Sequence, residues 1–130
     1  MSDLTSQSLT TLSRLIQTRA ASPIDVVEAH LRRIEQLNPQ LNAIVTLAPD
    51  ARAKAMAAQS AIERGDHGGP LRGLPFTVKD TIDTAGLRTT SGSILRADFV
   101  PEVDAPAVAR LKAAGAIAFS DGADSLQAED

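Results

Sequence analysis

The chain has 130 residues, a formal net charge of −3 and no cysteine, so a single domain is expected, and a disulfide framework or thiolate metal site is excluded. Hydrophobic residues make up 43% and charged residues 22%, which is typical of a globular domain. The acidic balance and the lack of Tyr and Trp argue against nucleic-acid binding, and no apolar run approaches the ~18 residues that a membrane span needs.

Two amphipathic helices are predicted at the start of the chain. The first, over 8–19, carries an apolar stripe at helical spacing, formed by Leu9, Leu12, Leu15 and Ile16. The second begins with Ser22 as N-cap, Pro23 at the first helical position and Asp25 in a capping-box position. Its apolar face is Val27, Leu31 and Ile34. The Asn-Pro pair at 38–39 is predicted to end it, because proline disfavours a helical residue before it.

A strand and an alanine-rich helix are predicted next. The strand covers 41–47, and Pro49 opens the helix, which continues to about residue 64. Gly65 suits the position just after the helix, because a residue without Cβ tolerates the left-handed conformation found there.

The second half of the chain is predicted to form two more strands around one helix. The strand over 74–82 is followed by an irregular loop over 83–93. Asp104 is the predicted cap of the next helix, Gly115 closes it, and a third strand covers 116–119.

Alternating strands and helices predict an α/β fold, with helices covering a parallel layer of strands. Residues 1–119 form the predicted domain. Residues 120–130 are small, polar and acidic, with Leu126 as the one large apolar residue, so they are predicted to be a disordered tail.

Lys79 is the residue that does not fit a buried strand. Phe76 and Val78 alternate with Thr77 and Lys79, so the lysine shares a face with threonine. One interpretation is a solvated lysine on the outer face, since lysines are rarely buried unpaired. The other is a desolvated, neutral lysine that accepts a proton from a serine hydroxyl. Spacing alone does not choose between them.

The residues around Lys79 resemble the lysine segment of the amidase signature family, which includes bacterial amidases and one of the subunits of tRNA-dependent amidotransferases. The matching positions are G-L-P-F-x-V-K-D over 73–80, then Gly86, then T-T-S-G-S over 89–93. The segments over 22–45 and 104–117 are similar to helices of that family, so the resemblance covers about residues 9–117.

The resemblance implies the N-terminal portion of the amidase signature fold, with helices packed on a partial mixed sheet. It also implies a catalytic role for Lys79. In that family a lysine deprotonates a serine held with a cis peptide bond, and this serine activates a nucleophilic serine that attacks an amide, without cofactor or metal. Asp80 is expected to brace the strand end by hydrogen bonds.

Both family serines lie in a Ser/Gly-rich segment of the G-G-S-S-G-G kind, and nothing over 92–130 looks like it. The pattern stops abruptly after Ile117, as a frameshift or truncation would produce. A local substitute is not expected, because none of the candidates stands in a nucleophile motif; they are Ser91, Ser93, Ser120 and Ser125. This chain alone is therefore expected to be inactive toward amides.

Two histidines complete the set of candidates. His30 is expected to pack half-buried on the second helix, and His67 is expected to be solvated. Two isolated histidines do not predict a metal site. The glycines around His67 lack the G-K-[ST] of a phosphate-binding loop, so they predict a flexible connection.

The leading hypothesis is thus the N-terminal fragment of an amidase, in the cytoplasm because no signal peptide is recognisable. The alternative is a non-catalytic partner, or complementing half, of an amidase or amidotransferase, docking through an open sheet edge and the alanine-rich helix. A gene product without function is the third possibility. Unpaired sheet edges also predict marginal stability or self-association.

Overall fold

The computed structural model describes residues 3–66 and 68–122, over which the chain forms four α-helices and three β-strands. In chain order these are α1 (Leu9–Gln17), α2 (Pro23–Leu41), β1 (Ile44–Leu47), α3 (Ala51–Glu63), β2 (Pro75–Lys79), α4 (Pro106–Ala113) and β3 (Ile117–Gly122). Single turns of 3-10 helix cover Leu4–Ser6 and Ile94–Arg96. The predicted α/β class is confirmed. None of these helices is long and apolar enough to cross a membrane.

The three strands form a mixed sheet in the order β1-β3-β2. β2 runs parallel to β3, whereas β1 runs antiparallel to it. The mixed sheet implied by the family resemblance is confirmed, but the parallel layer predicted from element order is wrong for β1. Element order specifies which strands are available, whereas strand direction depends on long-range pairing, here between β1 and a strand about 75 residues away.

The first two helices both begin at side-chain caps, of which the sequence predicted the second. Ser8 precedes α1, and its hydroxyl accepts a 3.1 Å hydrogen bond from the Thr11 N–H. At α2, Ser22 and Asp25 exchange two bonds of 3.0 Å in a capping box. The apolar stripe of α1 is narrower than predicted, because Leu9 in its first turn is 56% exposed.

The predicted end of the second helix is wrong, since α2 continues through Pro39 to Leu41. Pro39 lies in the last turn, where it removes only the one backbone hydrogen bond that its missing N–H would make. The helix ends at Asn42, which adopts the left-handed conformation at φ +51°. The Asn38 side chain then bonds both backbone groups of Ile44, at 2.8 and 2.9 Å, and so joins the helix to β1.

The alanine face of α3 is buried inside the domain. Ala51 and Ala55 belong to one core cluster with Val27 of α2 and Phe119 of β3. Small side chains let α3 approach its neighbours closely, so this face is already used within the chain. The opposite face, which includes Ala53, Met56 and Ala57, is exposed, and a docking role for the alanine-rich helix stays a prediction. A second cluster joins α1, α2 and the end of α3 through Leu12, Ile16, Val26 and Ile62.

The start of α4 and the end of β3 differ from the sequence prediction. α4 has Ala105 as its N-cap, without a side-chain cap bond, so the prediction that Asp104 caps it is wrong. β3 runs to Gly122, three residues into the predicted tail that starts at residue 120. The remainder of that segment, 123–130, lies outside the described residues, and the division at 119 stays a prediction.

Candidate active site

Lys79 lies at the carboxyl end of β2, the strand at one side of the described sheet. The predicted alternation is confirmed: Val78 is buried, whereas Thr77 and Lys79 are exposed. The described residues thus leave the lysine side chain open to solvent, as the first interpretation expects. Its role as a base stays a prediction.

Asp80, the residue after β2, is fully buried and anchors the loop that follows. Its Oδ1 accepts a 2.9 Å hydrogen bond from the Thr90 N–H, and its Oδ2 accepts one from the Thr90 hydroxyl. The Asp80 carbonyl also accepts a 2.9 Å bond from the Ser91 N–H. Buried carboxylates are tolerated when hydrogen bonds compensate their lost hydration. The expected bracing role of Asp80 is confirmed.

The loop between β2 and α4 lacks regular structure but is fastened at several points. Thr84 and Thr89 are both buried, at 1% and 0% exposure. The Thr89 N–H donates to the Phe99 carbonyl at 2.9 Å, and the Gly86 N–H donates to the Pro101 carbonyl at 3.0 Å. These bonds satisfy backbone groups that would otherwise be costly to bury. The loop therefore presents the end of β2 on a fixed support.

An ion pair ties this loop to α4. Asp104 Oδ1 accepts hydrogen bonds from the Ala85 N–H at 2.7 Å and from the Lys112 ammonium at 2.9 Å. Burial raises the pKa of Asp104, but the hydrogen bonds from Lys112 and Ala85 outweigh it and hold this pKa below its ordinary value. Asp104 thus acts as a connector between loop and helix.

The candidate serines near Lys79 are placed as follows. Ser93 caps the 3-10 turn that follows it, its hydroxyl accepting a 3.2 Å bond from the Leu95 N–H. Ser91 adopts a left-handed backbone at φ +54° beside Asp80. The side chain of Ser120 and the whole of Ser125 lie outside what the structure describes. The expectation that no local serine replaces the family nucleophile stays a prediction.

His30 packs half-buried, as predicted. Its Nδ1 lies 2.7 Å from the Val26 carbonyl, and its ring meets Phe119 edge-on with centroids 6.3 Å apart. His67 lies outside the described residues. Within 3–66 and 68–122, no three His, Cys, Asp or Glu side chains come together as metal ligands would.

Sequence reasoning missed two partners in this region. Thr90 belongs to the T-T-S-G-S motif, and the sequence gives no sign that its N–H and hydroxyl donate hydrogen bonds to the Asp80 carboxylate. Lys112 is an ordinary helix residue in the sequence, although it neutralises Asp104 from eight positions away. The partners are ten and eight positions apart, and neither spacing matches a helix or strand period that would predict the contact.

Comparison with known proteins identifies relatives of this arrangement. The family model described as Amidase matches residues 25–123. A glutamyl-tRNA(Gln) amidotransferase subunit of Bdellovibrio bacteriovorus is 44% identical over 115 residues, which are 88% of this chain and 24% of that protein. The putative amidase AmiD of Mycobacterium tuberculosis is 44% identical over 110 residues, 84% of this chain and 23% of that protein.

Solved structures with a similar fold include another amidase. The peptide amidase of Stenotrophomonas maltophilia superimposes with a TM-score of 0.85 at 31% identity, over 90% of this chain and 24% of that enzyme. The chain thus spans about a quarter of the length of the proteins that it matches.

Proposed function

This chain belongs to the amidase family, and from that membership we propose that it supplies the lysine-bearing part of an enzyme that hydrolyses carboxylic amides. The observation that carries the proposal is the placement of Lys79 at the open carboxyl end of β2, next to the hydrogen-bonded Asp80. A lysine on such a support can meet a second polypeptide segment without rearranging the strand.

In the proposed reaction Lys79 accepts a proton from a relay serine, which in turn accepts one from the nucleophilic serine. The nucleophile forms a bond to the amide carbonyl carbon, and the carbonyl electron pair moves to oxygen. Collapse of this intermediate expels the amine, which receives the relayed proton. Water then cleaves the acyl ester to give a carboxylic acid and regenerate the serine. No step requires a metal or an organic cofactor.

Two features support a need for a further segment. A lysine acts as a base in its neutral form, and burial favours that form. Lys79 is exposed in the described part of the chain, and a Ser/Gly-rich segment of the expected kind does not occur among the 130 residues. We therefore propose that these 130 residues alone do not turn over amides, and that a serine-bearing segment must cover Lys79.

A chimera tests this proposal. Residues 3–122 replace the matching segment of the M. tuberculosis putative amidase, and ammonia release from a panel of small carboxamides is measured. We expect activity in the chimera and none in the 130-residue chain. Lys79→Ala in the chimera should lower kcat/KM by roughly 10²–10⁴-fold, the usual contribution of a general base.

Lys54→Ala is the matched control. Lys54 lies on α3 and pairs with Asp50 at 3.3 Å on the surface, an interaction that contributes little. The control chimera should keep its activity. A Lys79→Ala chimera as active as the parent would refute the role of Lys79. Amide turnover by the 130-residue chain alone, abolished by Lys79→Ala, would refute the need for a serine segment.

Pairing with an amidase chain is a second candidate function, which the apolar segment over 94–103 favours. Ile94, Leu95 and Val103 are 80%, 97% and 76% exposed. Large apolar side chains exposed together often mark a protein–protein contact surface. The segment follows the loop that Asp80 anchors, and the outer edge of β2 has no strand neighbour among the described residues. Co-purification with an amidase chain would support this candidate, and a homo-oligomer in its place would indicate self-association.

The expected cytoplasmic location stays a prediction from the sequence.

A further inference from the structure

A cavity of about 360 Å³ lies at the amino end of β2, away from Lys79 at the carboxyl end. It is formed between α1, the end of α3 and the loop that leads into β2. Ser13, Gln17 and Arg72 contribute polar groups to its wall, and Ile16, Ile62 and Pro70 contribute apolar ones. A wall of this mixed character is typical of small-molecule sites.

The backbone of Arg72 is held rigidly at the edge of this cavity. On either side of it, the Leu71 N–H donates to the Ala114 carbonyl at 2.9 Å and the Gly73 N–H donates to the Gly115 carbonyl at 3.1 Å. A Cβ on Gly115 would lie only 2.7 Å from the Arg72 Cα. Arg72 therefore rests directly against the turn that ends α4.

The guanidinium of Arg72 lies close against Gly68. A Cβ on Gly68 would fall 1.9 Å from Nη2 and 2.1 Å from Nε, so any side chain at this position would have to displace the guanidinium. Gly68 also has a φ of +60°, which disfavours other residues.

The Arg72 guanidinium has unused hydrogen-bonding capacity. Among the described residues its Nε is buried without a hydrogen-bond partner. Its Nη2 lies 3.7 Å from Asp66 Oδ1, beyond hydrogen-bond distance, and that oxygen already accepts a 3.0 Å bond from the Gly68 N–H. Buried donors are normally satisfied, so an orphaned one beside a cavity indicates a missing acceptor.

We propose that this cavity binds a small monocarboxylate with a short apolar body. A guanidinium presents paired N–H groups that match the two oxygens of a carboxylate. A single charge fits best, because the nearby Asp66 would repel a dianion. Ile16, Ile62 and Pro70 offer the apolar body a dry surface. The site is independent of Lys79 and of the amide chemistry.

Titration of the 15N-labelled 130-residue chain with sodium hexanoate, followed by NMR, tests the proposal. The backbone signals of Ser13, Gly69 and Arg72 should shift saturably. Hexan-1-ol has a similar apolar body without the charge, and inorganic phosphate has the charge without the body. Both should bind at least ten times more weakly than hexanoate.

Variants complete the test. Arg72→Met should raise the Kd for hexanoate at least tenfold, whereas Arg110→Met, which removes an exposed arginine on α4, should leave it unchanged. Arg72→Lys keeps the charge and the aliphatic stem but loses the paired donors, so it should weaken binding about fivefold. Absence of saturable shifts at the cavity, unchanged affinity in both Arg72 variants, or phosphate binding as tight as hexanoate binding would each overturn the proposal.

Discussion

Alanine in place of glycine at the ends of α3 and α4 should destabilise the chain by clearly different amounts. Gly65 and Gly115 each follow a helix and adopt left-handed backbones at φ +84° and +98°. Each also donates its N–H to a carbonyl of the last helical turn, at 2.9 Å. The two positions therefore carry the same conformational penalty for alanine, about 1–2 kcal/mol.

Their surroundings differ. A Cβ on Gly65 would meet no atom within 4 Å, so Gly65→Ala should cost only the conformational penalty. A Cβ on Gly115 would lie 2.7 Å from the Cα and 2.9 Å from the N of Arg72, which are backbone atoms and cannot rotate away. Overpacking of this kind adds about 1–3 kcal/mol, so Gly115→Ala should cost roughly 2–5 kcal/mol in total.

Urea unfolding measures both values. The chain has no Trp or Tyr, so far-UV circular dichroism at the helix band is the suitable signal. A loss of roughly 2–5 kcal/mol is a large part of the roughly 5–15 kcal/mol available to a domain. Gly115→Ala should therefore be partly unfolded without denaturant or have a strongly reduced urea midpoint. Gly65→Ala serves as the matched control. Equal losses in the two variants would refute the argument from close backbone approach.

Two further predictions concern the loop after β2. Asp80→Ala should lower the free energy of unfolding by roughly 3 kcal/mol, because it leaves the buried Thr90 N–H and hydroxyl without this acceptor. Asp80→Asn should cost less. A loss below about 1 kcal/mol in urea unfolding of Asp80→Ala would contradict a stabilising role of the Asp80–Thr90 hydrogen bonds. The pKa of Asp104 is lower in the folded than in the unfolded chain, so its stabilisation is complete above about pH 4 and is lost as the pH falls through the folded-state pKa. The urea midpoint of Asp104→Asn should therefore fall less than that of the parent between pH 7 and pH 2.5. An equal fall in the two proteins would contradict the contribution of this ion pair.

The parts of the fold that the sequence predicts correctly are those with a local cause. The capping box of Ser22 and Asp25 needs only residues three positions apart. Gly65 and Gly115 mark helix ends because the left-handed backbone there excludes most other residues. The alternation of Val78 and Lys79 follows from the two-residue period of a strand.

By itself, then, the sequence determined the α/β class, most helix starts and ends, and the run around Lys79 that marks the amidase family, since each depends on residue types at short spacing. Only the tertiary structure decided the direction of β1 and three contacts. These are the hydrogen bonds between Asp80 and Thr90, the ion pair between Asp104 and Lys112, and the packing of the Arg72 guanidinium against Gly68. Each of these contacts depends on the position and direction of a side chain in the folded chain. Their energies depend on burial and mutual geometry, which arise only when the chain has packed.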